Sequence, residues 1–197
     1  MKITRILASA ALAVSAIGAT ANAQPVSYTT TGLFTGGAGC NTNVCTLANA
    51  TLSFTGIANA SVAPTFVSFG TFTGTATGSQ SFAGVTFQLW LAQTVPTNVA
   101  STLMATGMMA GSYSPTSSNV TWTPLPLSFS AGLANYTLFT NQIGQVNIVE
   151  PSTVTGSGIT TIQGSVSVVP EPSTYALMAA GLAAMAMVAR RRRNTTA

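Results

Sequence analysis

The sequence predicts an all-β fold, an antiparallel sandwich or jelly roll, for most of this chain of 197 residues. Between Gln24 and Val168, Thr, Ser, Gly and Asn interleave with Val, Ile, Leu and Phe, a composition typical of short strands joined by turns. Turn signals such as Gly36-Gly37 and Ser114-Pro115 recur at the spacing that an antiparallel sandwich needs. Since no repeat of fixed period is present, a solenoid or propeller is not expected. We call residues 24–168 the body.

The clearest predicted strand runs from Val85 to Ala92, where an apolar residue at every second position marks one buried face. The segment from Val99 to Met109 fits a short helix or a strand equally well, because Gly107 interrupts its methionine spacing. Shorter alternations predict further strands at Leu52–Phe54, Val67–Phe69, Leu125–Phe129, Tyr136–Phe139, Val146–Ile148 and Ile162–Val168.

Charge is scarce, and the positive charge is confined to the two ends of the chain. Charged residues make up 4% of the sequence, and the net charge of +4 is the balance of six basic residues, Lys2, Arg5 and Arg190 to Arg193, against Glu150 and Glu171. Within the body Glu150 is the sole formally charged side chain. General acid–base catalysis, a metal centre and nucleic-acid binding each require charged or histidine side chains that the body lacks. We therefore expect no enzyme, cofactor, metal site or nucleic-acid partner, although Glu150 could contribute to a weak Ca²⁺ site.

The first 23 residues have the three parts of a secretory signal peptide. A basic start precedes an apolar run from Ile6 to Ile17, and the small residues Ala21 and Ala23 stand just before Gln24. A membrane anchor is the alternative, but about twelve apolar residues rise only about 18 Å as a helix, short of a core of about 30 Å. We expect the export translocon to take up this segment and signal peptidase to cleave after Ala23.

Residues 169–193 have a different three-part order, followed by a short tail at 194–197. A proline-rich motif is followed by an apolar helix at 175–189 and a basic cluster at 190–193. The prolines favour an extended motif, and its Ser and Thr can cap the helix. The motif comprises Val169, Pro170, Glu171, Pro172, Ser173 and Thr174, and the cluster comprises Arg190, Arg191, Arg192 and Arg193.

The apolar helix is predicted to span the inner membrane. Fifteen residues rise about 22 Å, which is short but sufficient if the arginines snorkel and the bilayer thins. The arginines would stay in the cytoplasm by the positive-inside rule, which places the body on the far side of the membrane.

This order of parts resembles the PEP-CTERM sorting signal of Gram-negative bacteria, a segment also named the ice-binding-protein C-terminal domain. The resemblance implies a membrane-anchored precursor with a periplasmic body, which an exosortase processes near Pro170-Glu171-Pro172. The body would then reach the cell surface or extracellular matrix, and such proteins are often associated with exopolysaccharide and biofilm. The alternative is a plain single-pass anchor with stop-transfer arginines.

Cys40 and Cys45 are the only cysteines, separated by four residues. In an oxidising compartment they predict a disulfide that closes a small loop and contributes about 2 kcal/mol. A zinc site would need two further ligands, and a redox pair normally has the closer Cys-x-x-Cys spacing.

Two features of the body could bind an uncharged partner. Aromatic rings and amides hold neutral polysaccharides, and the candidate rings are Trp90, Trp122, Tyr113 and Tyr136. We favour the alternative that these rings fill or rim the core. The run from Thr71 to Thr77 places Thr at every second position, as ice-binding surfaces do, but one row without neighbours predicts an ordinary strand face.

The two end signals and the nearly uncharged body lead to one hypothesis. The protein is expected to be an exported, non-enzymatic structural or adhesive component of the matrix or cell surface. The alternatives are a neutral-polysaccharide-binding module and, more remotely, an ice-binding surface protein.

Overall fold

The computed structural model describes residues 24–62, 65–150, 158–168 and 172–193. The predicted signal peptide, residues 169–171 of the sorting motif and the tail at 194–197 lie outside these ranges. The described chain forms strands followed by one helix, α1 (Pro172–Arg193). The strands are β1 (Val26–Thr35), β2 (Val44–Thr46), β3 (Ala50–Thr55), β4 (Ala60–Val62), β5 (Phe66–Ala76), β6 (Gln80–Ser81), β7 (Thr86–Val95), β8 (Val99–Ala110), β9 (Ser112–Tyr113), β10 (Thr121–Leu125), β11 (Ser128–Ala131), β12 (Ala134–Leu138), β13 (Val146–Asn147) and β14 (Ile159–Val168).

Alternation of side chains along the strands produces the predicted all-β body. In β7 the side chains of Phe87, Leu89 and Leu91 are buried, whereas Gln88 and Trp90 between them are half-buried. Successive residues of a strand point to opposite faces, so this pattern gives β7 one core face and one outer face. The strand predicted at Val85–Ala92 is confirmed.

Two six-stranded antiparallel sheets pack face to face. The first sheet has the order β13-β10-β8-β7-β1-β4, and the second has the order β11-β12-β14-β5-β3-β2. A two-stranded sheet, β6-β9, accompanies them. Both edges of each large sheet in the described chain are strands of two to four residues, which limits the backbone exposed for pairing with other chains.

Aromatic side chains from both sheets fill the space between them. The ring centroid of Phe87 in the first sheet lies 4.7 Å from that of Phe72 and 4.9 Å from that of Phe54, both in the second sheet. Burial of one such side chain contributes about 2–3 kcal/mol. Gly32 lies beside Phe54 and Phe87, and a Cβ atom there would overlap both rings. Glycine at this position therefore permits the two sheets to pack closely.

Two sequence predictions are resolved or corrected by this fold. Val99 to Met109 is strand β8, and its Gly107 packs against Trp122 and Thr123 where a Cβ atom would have no room. The single strand predicted at Leu125–Phe129 is wrong, because β10 ends at Leu125 and β11 begins at Ser128. Pro126, which follows a cis peptide bond, has no N–H to donate to a sheet ladder.

The helix predicted at 175–189 is present but longer. It begins at Pro172, because proline at the first helical position needs no N–H partner and already has a helical φ. Ser173 and Thr174 consequently lie within the first turn and not before the helix as predicted. The predicted membrane span is not confirmed: no helix in the described part of the chain combines the length and apolar character needed to cross a bilayer.

Candidate functional site

The C-terminal tail follows directly from the body. Strand β14 pairs with β12 on one side and β5 on the other, and α1 begins four residues after β14 ends at Val168. The described side chains of α1, from Leu177 to Val188, are all exposed. They therefore contribute no burial to the sandwich, and cleavage between β14 and α1 would leave the core side chains in place.

Three of the four predicted sugar-contact rings are core residues. Trp122, Tyr113 and Tyr136 are each 0% exposed, so they cannot stack on a ligand at the surface. The Tyr136 hydroxyl donates to Gln93 Oε1 at 2.6 Å, and the Tyr113 hydroxyl donates to the Val149 carbonyl at 2.9 Å. The prediction of a glycan contact at these three positions is corrected, and the competing prediction that they fill the core holds.

Burial also changes the acidity of these phenols. Desolvation raises the pKa of Tyr113 to about 12, and the negative charge of Glu150 adds to the effect. Desolvation, with a smaller contribution from Tyr28, raises the pKa of Tyr136 further. Both groups are neutral hydrogen-bond donors at physiological pH, which suits a structural role.

Trp90 is the predicted ring that keeps access to solvent. It is half-buried on the outer face of the first sheet, where its register neighbours are Thr31 on β1 and Leu103 on β8. A flat aromatic side chain between a hydroxyl and an aliphatic group can contact a small apolar patch of a ligand. The sugar-contact prediction for Trp90 stays a prediction.

Cys40 and Cys45 form the predicted disulfide, which is confirmed. Both residues are buried, and Cys45 lies in β2, the edge strand of the second sheet. The crosslink closes the loop that leads from β1 into this edge. Its position indicates a structural function, since it holds a three-residue strand that has a neighbour on one side only.

Glu150 lies half-buried after β13, beside the region of Tyr113. In the described ranges no three His, Cys, Asp or Glu side chains come together as they would around a metal ion. A Ca²⁺ role for Glu150 stays a prediction.

The outer face of the second sheet carries rows of hydroxyl groups. The predicted row on β5 consists of Thr71, Thr73 and Thr75, all exposed or half-buried. The antiparallel register adds neighbouring rows that the sequence alone did not supply. We call this surface the hydroxyl face; its cross-strand sets are Thr46-Thr51-Thr75, Ser53-Thr73, Thr55-Thr71-Thr161 and Thr137-Ser165.

An aromatic cleft interrupts the hydroxyl face. The Phe66 side chain is 76% exposed and Phe139 is 39% exposed, and their ring centroids lie 5.5 Å apart at an interplanar angle of 59°. Together with Val67, Ser68 and Gln163 they line an open cleft of about 300 Å³. Two exposed aromatic rings beside a hydroxyl and an amide form a recurring kind of ligand surface.

The strand register explains why these residues meet. Ser68 on β5 pairs with Gln163 on β14, and Phe66 pairs with Ser165. The backbone N–H of Phe139 donates to the Gln163 carbonyl at 2.8 Å, so the Phe66 and Phe139 rings approach each other from opposite sides of β14. Sequence analysis missed this cleft, although the alternation at Val67–Phe69 already places Phe66 on the outer side with Ser68.

Comparison with known proteins identifies the tail. Residues 168–193 match the PEP-CTERM protein-sorting motif, which confirms the resemblance seen in the sequence. This signal supports an exported protein that an exosortase sorts to the cell surface or extracellular space. No curated protein and no solved structure matches the chain.

Proposed function

We propose that the body is a non-enzymatic structural or adhesive component of the extracellular matrix or cell surface, delivered by its two end signals. The export translocon and signal peptidase would act at residues 1–23, and the exosortase at the sorting signal. The observation that carries the proposal is the sorting motif at residues 168–193, which includes exposed helix α1 and follows directly from strand β14 of the β body.

The chemistry of the body supports a role without catalysis. Glu150 is its sole formally charged side chain and hence its only candidate for acid–base catalysis, and hydrolysis by paired carboxylates needs a second acid that the body lacks. A surface with so little charge also lacks the like-charge repulsion that keeps ordinary soluble proteins apart. Association with matrix polymers or other copies is therefore easier for this body than for a typical enzyme.

The short edge strands and the disulfide fit the same role. A sandwich that is exported must resist unfolding and uncontrolled strand pairing outside the cell, and short edges limit such pairing. The disulfide adds stability in an oxidising compartment.

The proposal is tested by complementation of a strain that lacks the gene. We expect the wild-type chain to restore surface-located protein and cell aggregation, and Glu150→Gln to restore both equally. Glu171→Ala, inside the matched motif, is expected to prevent surface delivery, whereas the control Thr195→Ala, outside the motif, is expected to be neutral.

Two results would contradict the proposal. Loss of aggregation with Glu150→Gln, while the folded protein still reaches the surface and added Ca²⁺ does not affect aggregation of the wild type, would indicate an enzyme. Full surface delivery of Glu171→Ala would show that the sorting signal does not direct this protein.

A further inference from the structure

We infer that the aromatic cleft on the hydroxyl face is a binding site for a neutral polysaccharide chain. The inference rests on the proposed function, because it names the matrix partner of the exported body. The cleft is formed by Phe66 and Phe139 with the polar side chains of Ser68 and Gln163.

The cleft offers both kinds of contact that a sugar ring uses. The faces of a pyranose ring are rich in C–H groups, which pack on aromatic rings, and its edges carry hydroxyl groups that need donors and acceptors. Phe66 and Phe139 provide the aromatic surface. Gln163 can donate and accept, and the Ser68 hydroxyl accepts from the Gly70 N–H at 3.2 Å while its own proton is still able to donate.

The surroundings of the cleft extend the site along a polymer. Thr55, Thr71 and Thr161 form a cross-strand row on one side of the cleft, and Ser165 and Thr137 continue the row of Phe66 across β14 and β12. Beyond the register shift between Ile162 and Gln163, Thr71, Thr73 and Thr75 follow at ~6.8 Å intervals along β5, so a chain that leaves the cleft in this direction meets successive hydroxyl groups.

The electrostatics select a neutral polymer. None of the residues that form the cleft or the hydroxyl face is formally charged, so a uronic-acid polymer or nucleic acid would find no cation to pair with. A neutral glycan loses no ionic hydration on binding there and exchanges hydrogen bonds with water for bonds of similar kind.

The same face fits ice less well. Ice-binding surfaces depend on regular hydroxyl rows, whereas Val44 and Ile159 occupy positions in the row of Ser53 and Thr73. The register also shifts between Ile162 and Gln163, which breaks the spacing between the Thr rows and the cleft. The hydroxyl rows are therefore too irregular to favour ice, whereas the exposed rings of Phe66 and Phe139 favour a sugar polymer.

The test uses the purified full chain and defined neutral polysaccharides. Retention is measured on insoluble cellulose and by retardation in native gels that contain starch, dextran or galactomannan, with the anionic polymer alginate for comparison. We expect at least one neutral polymer to bind, and F66A/F139A to weaken that binding about tenfold, since two stacking contacts are lost.

A matched control is available on the other sheet. Met108 is 63% exposed on the outer face of the first sheet, and Met108→Ala is expected to change binding by less than about twofold. Unchanged melting temperatures for both variants would show that the fold is intact. If F66A/F139A does not fold, the milder pair F66L/F139L removes the aromatic faces while it retains apolar volume.

The inference is overturned by any of four results. These are no binding of the wild type to any neutral polymer, equal binding by the folded double variant, loss with Trp90→Ala instead, or inhibition of ice recrystallisation without polysaccharide binding. In each case surface delivery and cell aggregation, measured separately in the complementation strain, would still test the proposed function.

Discussion

Replacing Trp122 by alanine removes the largest side chain of the core. The indole is 0% exposed, and its ring centroid lies 5.2 Å from that of Phe87 and 6.1 Å from that of Phe72. Truncation of a buried aromatic residue to alanine costs about 3–5 kcal/mol. Trp122 therefore links the two sheets at a point where the loss of packing should be large.

The indole nitrogen of Trp122 places the expected loss of stability at the lower end of that range. The Nε1 atom of Trp122 is buried and has no hydrogen-bond partner within the described ranges of the chain. Truncation consequently breaks no hydrogen bond, and it removes a buried polar group whose desolvation is unfavourable. We expect a loss of about 3 kcal/mol, equivalent to a fall in melting temperature of about 6–12 °C for a body of this size.

The assay is urea denaturation of the full chain followed by circular dichroism, with Trp90→Ala as the matched control. Trp90 is the chain's other tryptophan and lies half-buried on the outer face of the first sheet. Its truncation is expected to cost about 1 kcal/mol, because it leaves no enclosed cavity. A cost below about 1 kcal/mol for Trp122→Ala, or equal costs for both variants, would refute the packing described above.

The remaining predictions concern stability. Tyr136→Phe deprives the buried Gln93 amide oxygen of its donor and should lower the free energy of unfolding by about 1–3 kcal/mol in the same denaturation assay. An unchanged free energy of unfolding would show that this hydrogen bond contributes nothing to stability. Joint replacement of Cys40 and Cys45 by serine should lower the free energy of unfolding by about 2 kcal/mol relative to the oxidised wild type, and reduction of the wild type should cost the same. Equal stability of the variant and the oxidised wild type would contradict this. Burial raises the pKa of Tyr28 to about 12, as it does for Tyr113. Since tyrosines in the unfolded chain ionise near pH ~10, the melting temperature should fall as pH rises from about 10 to 12, and a flat profile would contradict the burial of these phenols.

The sandwich and the sorting tail were predictable because their signals are local. Phe87, Leu89 and Leu91 stand at alternate positions, so one strand and its core face follow from a few neighbouring residues. The sorting signal is likewise contiguous. Pro172 was predicted to precede the helix but is its first residue. The sequence does not distinguish the two positions, because proline is tolerated both just before a helix and at its first position.

The binding surface was not predictable because it depends on register. Phe66 and Phe139 lie far apart in the sequence and meet only because β5 and β12 both pair with β14. The hydroxyl rows next to Thr71 and Thr73 arise in the same way. In contrast, Trp122 and Tyr136 carry the residue types of a sugar site, but the alternation of β10 and β12 turns them inward.

The central claim is that the chain is exported and processed at its sorting signal, and intact-mass spectrometry of the surface-associated protein tests it most directly. The account predicts a mature chain that begins at Gln24 and ends within residues 168–193 without Arg190 to Arg193. The same protein from a strain without exosortase should retain the arginines. A surface form that still carries all four arginines in the normal strain would contradict the account.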